Sequence, residues 1–432
     1  MTQTLDTYLI RAKPLLTMPE QSEDLAHYDP SMDLVARDAK LTGLIEDGGV
    51  LVDHGKIAWF GPFEERPKKT RKDNFPTMHT GVCTPGLIDC HTHAVFAGER
   101  SHEFMMRNAG KAYVEILEAG GGILNTMEAV RRTKRDALMH QLLRDCYEFM
   151  RRGVTTIEVK SGYGLDWPNE RKQLQAINRA NAEIPCELIP CFLGAHAIPP
   201  KYKANPNAYV DIVCEEMIPK VAEENLATYC DVFCDRGAFT VEQARKVLET
   251  GKKYNLTPRI HADEIVSFGA TRLAAEVGAT SADHLEHTPD DELKAMVEAG
   301  VTGVLMPAVN LYLGTLDTLA PARKILNLGG EIALATDYNP GSAMTYDMGT
   351  VLTLGTTLYK LTPGEALRAA TIGAAKALGR TDIGRIRKGA RADLTLFDAP
   401  SPAFIPYHLG ASQVEGVIIN GVFVYWTEAE DF

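Results

Sequence analysis

Eight short apolar runs, rich in β-branched residues and each ending in polar ones, constrain this chain more than any other feature. They are GLIDCHTH (86–93), VTTIEVK (154–160), ELIPCFLG (187–194), DVFCD (231–235), PRIHAD (258–263), SADH (281–284), VTGVLM (301–306) and EIALATD (331–337). Helical patterns, such as 240–253 and 290–299, lie between most of them. Strands alternating with helices are the signature of parallel βα units. Eight such units predict a (β/α)8 barrel of the TIM type, in which the chemistry sits at the C-terminal ends of the strands. The alternative, an open doubly wound sheet, lacks its fingerprint, because no GxGxxG follows the first strand. Gly120-Gly-Gly122 and Ser161-Gly-Tyr-Gly164 are too short for it and read as turns.

The flanks differ from this middle. Residues 1–84 hold short alternating segments, Gly49–Val52 and Lys56–Phe60 among them, broken by Gly, Asp and Pro in the manner of hairpins. The charged run 64–73 reads as a solvated loop. Residues 392–397 and 416–424 return to the same alternating style. The expectation is one small β-sandwich domain composed from both termini, 1–84 plus 385–432, beside a barrel at 85–384. A length of 432 residues accommodates both.

A formal charge of −12 argues against nucleic acid as a partner, since such affinity depends on Lys and Arg neutralising phosphates. No run approaches the ~20 apolar residues of a membrane span, and the N-terminus lacks a basic-then-apolar signal pattern. The 8 cysteines form no CxxC pair and read as reduced core residues. These features predict a cytoplasmic protein.

Chemistry concentrates at the predicted strand ends. In His91-Thr-His93 the two imidazoles stand at i and i+2, so in a strand they share a face. His261 closes the fifth run, His284 the sixth and Asp337 the eighth. Five such residues at one rim of one barrel point to a bound cation. A set of three histidines and one aspartate suits Zn²⁺, with iron or manganese able to use similar nitrogen and oxygen donors. Such a cation lowers the pKa of its water from 15.7 to about 7 and polarises carbonyls. Glu264, three residues past His261, is a carboxylate suited to moving protons beside that water. Asp263 reads as a loop acid.

TPGLIDCHTH, HADE, SADHLEH and ATDYNPGS resemble the amidohydrolase superfamily, metal-dependent hydrolases of C–N bonds with a composite β domain. Within it, residues 96–104, Gly120–Ile123, Lys160–Gly164, Gly194–His196 and Thr336–Ser342 resemble the blocks of the imidazolonepropionase family. The resemblance implies ring opening of 4-imidazolone-5-propanoate to N-formimidoyl-L-glutamate in histidine degradation. It implies His91, His93, His261 and Asp337 as ligands of one Zn²⁺ or Fe³⁺ per subunit, and a homodimer. It further implies that Arg100, Tyr163, His196 and Glu264 contact the substrate, with Asn339, Gly341 and Ser342 at its glutamate-like end. An anionic propanoate needs a fixed cation, and the planar fork of Arg100 matches a carboxylate. On this reading Asp337 or Glu264 takes the proton of the attacking water, and His284 donates a hydrogen bond to the oxyanion.

His287 in the HLEH segment reads as a spare surface imidazole. The fourth run ends in Asp235 with no lysine, and Lys160 stands on the second, so no bridge for a second metal is expected. The 96–125 segment is a candidate lid. The alternative activity is that of a related aminohydrolase of the guanine or cytosine deaminase type. Only SGYG, GAH and the Arg100 block separate the two.

Overall fold

The computed structural model describes residues 6–20, 31, 33–72, 74–111 and 121–427. Eight parallel strands form one sheet, each paired with its neighbours in chain order. They are β1 (Leu87–Asp89), β2 (Val154–Lys160), β3 (Glu187–Ala195), β4 (Tyr229–Cys234), β5 (Thr257–Ala262), β6 (Ser281–His284), β7 (Thr302–Leu305) and β8 (Ile332–Leu334). Beyond the strand ends, the β1 and β8 chains meet: Asp337 N donates to His91 O at 3.1 Å, and His93 N donates to Tyr338 O at 3.0 Å. The Thr336 hydroxyl donates to Asp89 Oδ2 at 2.5 Å. These bonds bring the edges of the sheet together, as a (β/α)8 barrel requires.

The strands are buried on both faces because helices pack outside while side chains fill the lumen. The helices begin where the sequence supplies caps. Thr240 and Gln243 form a reciprocal capping box on Val241–Lys253, and the Asp166 side chain accepts from Asn169 N at the start of Trp167–Asn181. The N-terminal mouth is plugged: Ala374, Ala377 and Leu378 pack against Ile88, Cys191 and Tyr229, whose hydroxyl donates to Leu378 O at 2.6 Å. The opposite end, with the strand C-termini, is where ligands bind in this fold.

Two further sheets lie beside the barrel. Thr7–Ala12, Gly48–Asp53, Lys56–Pro62 and Thr77–Thr80 form one. The other has six strands and mixes the ends of the chain. Leu394–Phe397 runs antiparallel to Val82–Pro85, and Val414–Ile419 and Val422–Trp426 extend it. Tyr8, Ile10, Val50, Cys83, Leu394 and Ile418 make their shared core. The hairpin expected at residues 49–60 is present, and all 8 cysteines are free and buried. Among the described residues no helix is long and apolar enough to cross a membrane.

One expectation needs adjusting. Strand β1 ends at Asp89, so His91 and His93 lie just past it rather than within it. The chain stays extended there, because Thr92 bridges in parallel to Tyr338, and the i, i+2 relation still aims both imidazoles into one space. Of the 96–125 segment read as a lid, residues 112–120 lie outside the described residues; Ser101–Asn108 and Ile123–Arg132 are helices.

Candidate active site

Above the lumen the ring nitrogens of His91, His93 and His261 lie within 4.8 Å of one another. His261 Nε2 is 3.3 Å from His93 Nε2. Asp337 Oδ1 lies 3.5 Å from His91 Nε2 and 3.4 Å from His93 Nε2. All four side chains are buried. Two of the imidazoles are oriented from behind. His91 Nδ1 meets Asp283 Oδ2 at 2.6 Å, and His261 Nδ1 meets Asp231 Oδ1 at 3.1 Å. An N–H donated to each carboxylate leaves each Nε2 lone pair facing the cluster. Burial first, then the positive charge of Lys160, holds His91 well below the usual imidazole range; burial and His196 do the same for His93.

Electron-pair donors thus converge on one space. His91 Nε2 and Asp337 Oδ1 are buried without a hydrogen-bond partner, an arrangement that is costly in an empty protein. A cation satisfies all four at once. The donor set of three nitrogens and one oxygen fits a metal site with room for a water or substrate atom.

Beneath the ligands lies a buried ionic layer that the sequence reading missed. Lys160 Nζ is 2.8 Å from both Glu158 Oε1 and Asp231 Oδ2, and 3.9 Å from Asp283 Oδ2. Arg259 Nη2 reaches Asp283 Oδ2 at 3.1 Å and donates to Cys90 O at 2.8 Å. All five side chains are fully inaccessible. Burial pushes the Asp283 carboxyl up, but Arg259 and Lys160 prevail and hold it below its ordinary value. A signal for this layer was present: Asp231 and Asp283 stand inside apolar runs, where a carboxylate is almost never buried unless paired.

The turns after the strands aim the reacting groups. Asp263, His284, Leu285 and Asp337 have φ of +53°, +84°, +75° and +53°. Asp and His tolerate this left-handed region better than most residues, and such strain gathers at functional sites. Asp263 takes its turn as a cap: its carboxylate accepts from Phe268 N, Thr271 N and the Thr271 hydroxyl, so it is the loop acid expected. Glu264 Oε2 comes within 3.7 Å of His284 Nε2. Burial lowers the His284 imidazole, but Glu264, Glu286 and Asp337 outweigh it and raise it to about 8. Burial raises Asp337 to about 6 against the opposing pull of His284.

On the other side of the cluster, the His196 ring stacks on His93 at 4.9 Å between centroids, and Tyr163 lies 5.3 Å from His196. His196 Nδ1 meets Gly162 O at 3.0 Å, which makes Nδ1 the protonated nitrogen; burial and then His261 lower its pKa to about 3. Burial raises the Tyr163 phenol, which keeps it a donor. Arg100 is nearly buried beside Glu103, 2.7 Å away, with its Nε unpartnered. A Cβ at position 341 would meet Arg100 Nη1, so a larger residue there would push the guanidinium aside.

Asn339 and Ser342 were expected at the glutamate-like end of the substrate. Both bond to Asp337: Asn339 Nδ2 donates to Asp337 Oδ2 at 2.9 Å, and the Ser342 hydroxyl lies 3.2 Å from it. His287 is half-buried rather than a free surface imidazole, lining a cavity with Glu264 and Glu286. Arg107, not singled out in the sequence, donates to Gly341 O at 2.9 Å. Asp235 accepts from Ile265 N and so orders the loop that carries Glu264.

The family model described as "Amidohydrolase family" matches residues 82–424. The chain belongs to that family, whose members share this barrel. Relatives narrow the placement. The imidazolonepropionase of Shouchella clausii is 46% identical over 90% of this chain and 88% of its own. That of Geobacillus kaustophilus is 42% identical over 96% of this chain and 97% of its own. At that identity over nearly whole chains, the family is that of the imidazolonepropionases, hydrolases within the amidohydrolase group. Escherichia coli guanine deaminase superposes with a TM-score of 0.72 over 98% of this chain and 99% of its own, but at 18% identity that likeness shows the fold alone.

Proposed function

We propose that this chain opens the ring of 4-imidazolone-5-propanoate, adding water across a cyclic amide C–N bond to yield N-formimidoyl-L-glutamate. The observation that carries the reading is the two-sided site: Glu264 and His284 on one side of the donor cluster, Tyr163 and His196 on the other, with Arg100 beside Gly341 and near enough to Tyr163 to act on its phenol. His91, His93, His261 and Asp337 would hold one Zn²⁺ or Fe³⁺ per subunit, and the donor types favour zinc. When bound, the cation supplies Lewis acidity and a water acidified toward neutral pH.

The residues divide the remaining work. Arg100 pairs with the propanoate through its planar fork. Tyr163 donates to the substrate, and neutral His196 presents Nε2 to it. Gly341 leaves room for the arginine, while Asn339 and Ser342 steady Asp337 and border the glutamate-like end. Asp337 and Glu264 handle the protons, one leaving the attacking water and one reaching the ring nitrogen as the C–N bond breaks. His284 donates to the oxyanion as the carbonyl becomes tetrahedral. Placement in the cytoplasm and assembly as a homodimer accompany this reading, as does a domain division at 84/85 and 384/385.

The test is an assay with two substrates. Decay of imidazolone absorbance without release of ammonia is the expected result; ammonia from guanine or cytosine with an inert imidazolone would overturn it.

A further inference from the structure

Glu286 is buried where a carboxylate is hard to keep, and the scheme above gives it no task. Its side chain is 4% exposed. Oε1 accepts from Asn310 Nδ2 at 3.4 Å. Asn310 is itself pinned, its amide donating to Thr315 Oγ1 at 3.3 Å and Thr318 O at 3.4 Å while its Oδ1 accepts from the Tyr359 hydroxyl at 3.1 Å. Three segments therefore hold one carboxylate in place.

Its other oxygen, Oε2, is buried without a hydrogen bond and faces His284 Nδ1 at 3.9 Å, an atom also buried and unpartnered. The opposite nitrogen of that ring looks toward Glu264. Two consecutive left-handed residues, His284 and Leu285, turn the chain so that Glu286 comes back behind the imidazole. Two orphan groups of complementary kind, separated by less than 1 Å beyond a hydrogen bond, close with a small movement, and each relieves the desolvation cost of the other.

We propose that Glu286 is a positioning residue for the ring opening: it receives Nδ1–H of His284 and so holds the doubly protonated ring with Nε2–H directed at the reacting carbonyl. A carboxylate behind an imidazole fixes its orientation and stabilises the imidazolium, the form that carries a proton on both nitrogens. The inference rests on reading His284 as the oxyanion donor. Against burial, the charges of Glu264, Glu286 and Asp337 raise His284 to about 8, which accords with the doubly protonated ring.

The test is a double-mutant cycle on metal-loaded protein, with kcat and KM for Glu286→Ala, His284→Gln and the double variant. His284→Gln is expected to lose about 10²–10³-fold in kcat. Glu286→Ala should lose about tenfold or more in kcat with KM within about threefold, and Glu286→Gln, which keeps an oxygen for Nδ1–H, should lose less. The double variant should be no slower than His284→Gln alone, because Glu286 acts only through that ring. If the alanine variant does not fold, the glutamine variant takes its place, with a loss above about threefold expected only where His284 is intact. Full activity in His284→Gln would remove the reading of His284 and this inference with it. A slow His284→Gln beside an unimpaired Glu286→Ala, or losses that multiply in the double variant, would overturn the role of Glu286 alone.

Discussion

The floor of the site and its rim are built on different terms. His91 and His261 on the floor are each backed by a carboxylate, and those carboxylates are locked by Lys160 and Arg259 with no exposure at all. The rim is looser. Glu264 is 22% exposed on its side chain, and Arg100 is anchored through one ion pair to Glu103 and the close approach of Gly341. The difference teaches where each kind of change should register. Damage to the floor should cost metal and fold, and damage to the rim should cost recognition or rate in a protein that still binds its cation.

The largest expected effect separates the two regions most sharply. Asp337→Ala should abolish ring opening, by more than about 10³-fold, and leave purified protein without tightly held metal. Elemental analysis beside the activity assay checks both. Next comes His284→Ala, a cut in turnover of about 10²–10³-fold with metal content unchanged; a loss of only about threefold would remove it from the oxyanion role. Breaking the layer under the ligands tests the floor from behind. Lys160→Met leaves buried carboxylates unpaired and should lower folding stability by about 3–5 kcal/mol, read as a fall in the unfolding midpoint of the metal-free protein.

Smaller effects belong to metal affinity and recognition. Asp231→Asn should weaken metal binding by about 10–100-fold in a chelator competition, since the amide no longer holds His261 by charge. Arg100→Lys should act almost wholly on KM, raising it about tenfold as the two-pronged contact becomes a point charge. An unchanged KM would dismiss Arg100 as the carboxylate partner.

How much of this was legible in the sequence follows the same division. The strand ends could be read because a parallel barrel converts eight apolar runs into one rim, and HxH places two rings on one face by backbone geometry alone. The convergence of His261 and Asp337 on that pair follows once the order of strands is known. The ionic layer was harder to see. The sequence reading weighs Lys160 only as a metal bridge, and two of its three carboxylate partners, Asp231 and Asp283, come from β4 and β6, far away along the chain. Asn339 and Ser342 differ in another way. A loop sequence says that they stand near Asp337 but not which way an amide points, and here it points inward. Glu286 escaped notice because its neighbours are strand-end residues, and only the positive φ at His284 and Leu285 folds it back into the site.

The central claim, that four side chains at the C-terminal ends of β1, β5 and β8 share one cation needed for ring opening, is tested most directly by stripping and restoring the metal. The account predicts about one equivalent of metal per chain, loss of imidazolone turnover on chelation, recovery on adding Zn²⁺ or iron back, and no recovery in Asp337→Ala. Undiminished ring opening by protein shown to be free of metal would contradict it.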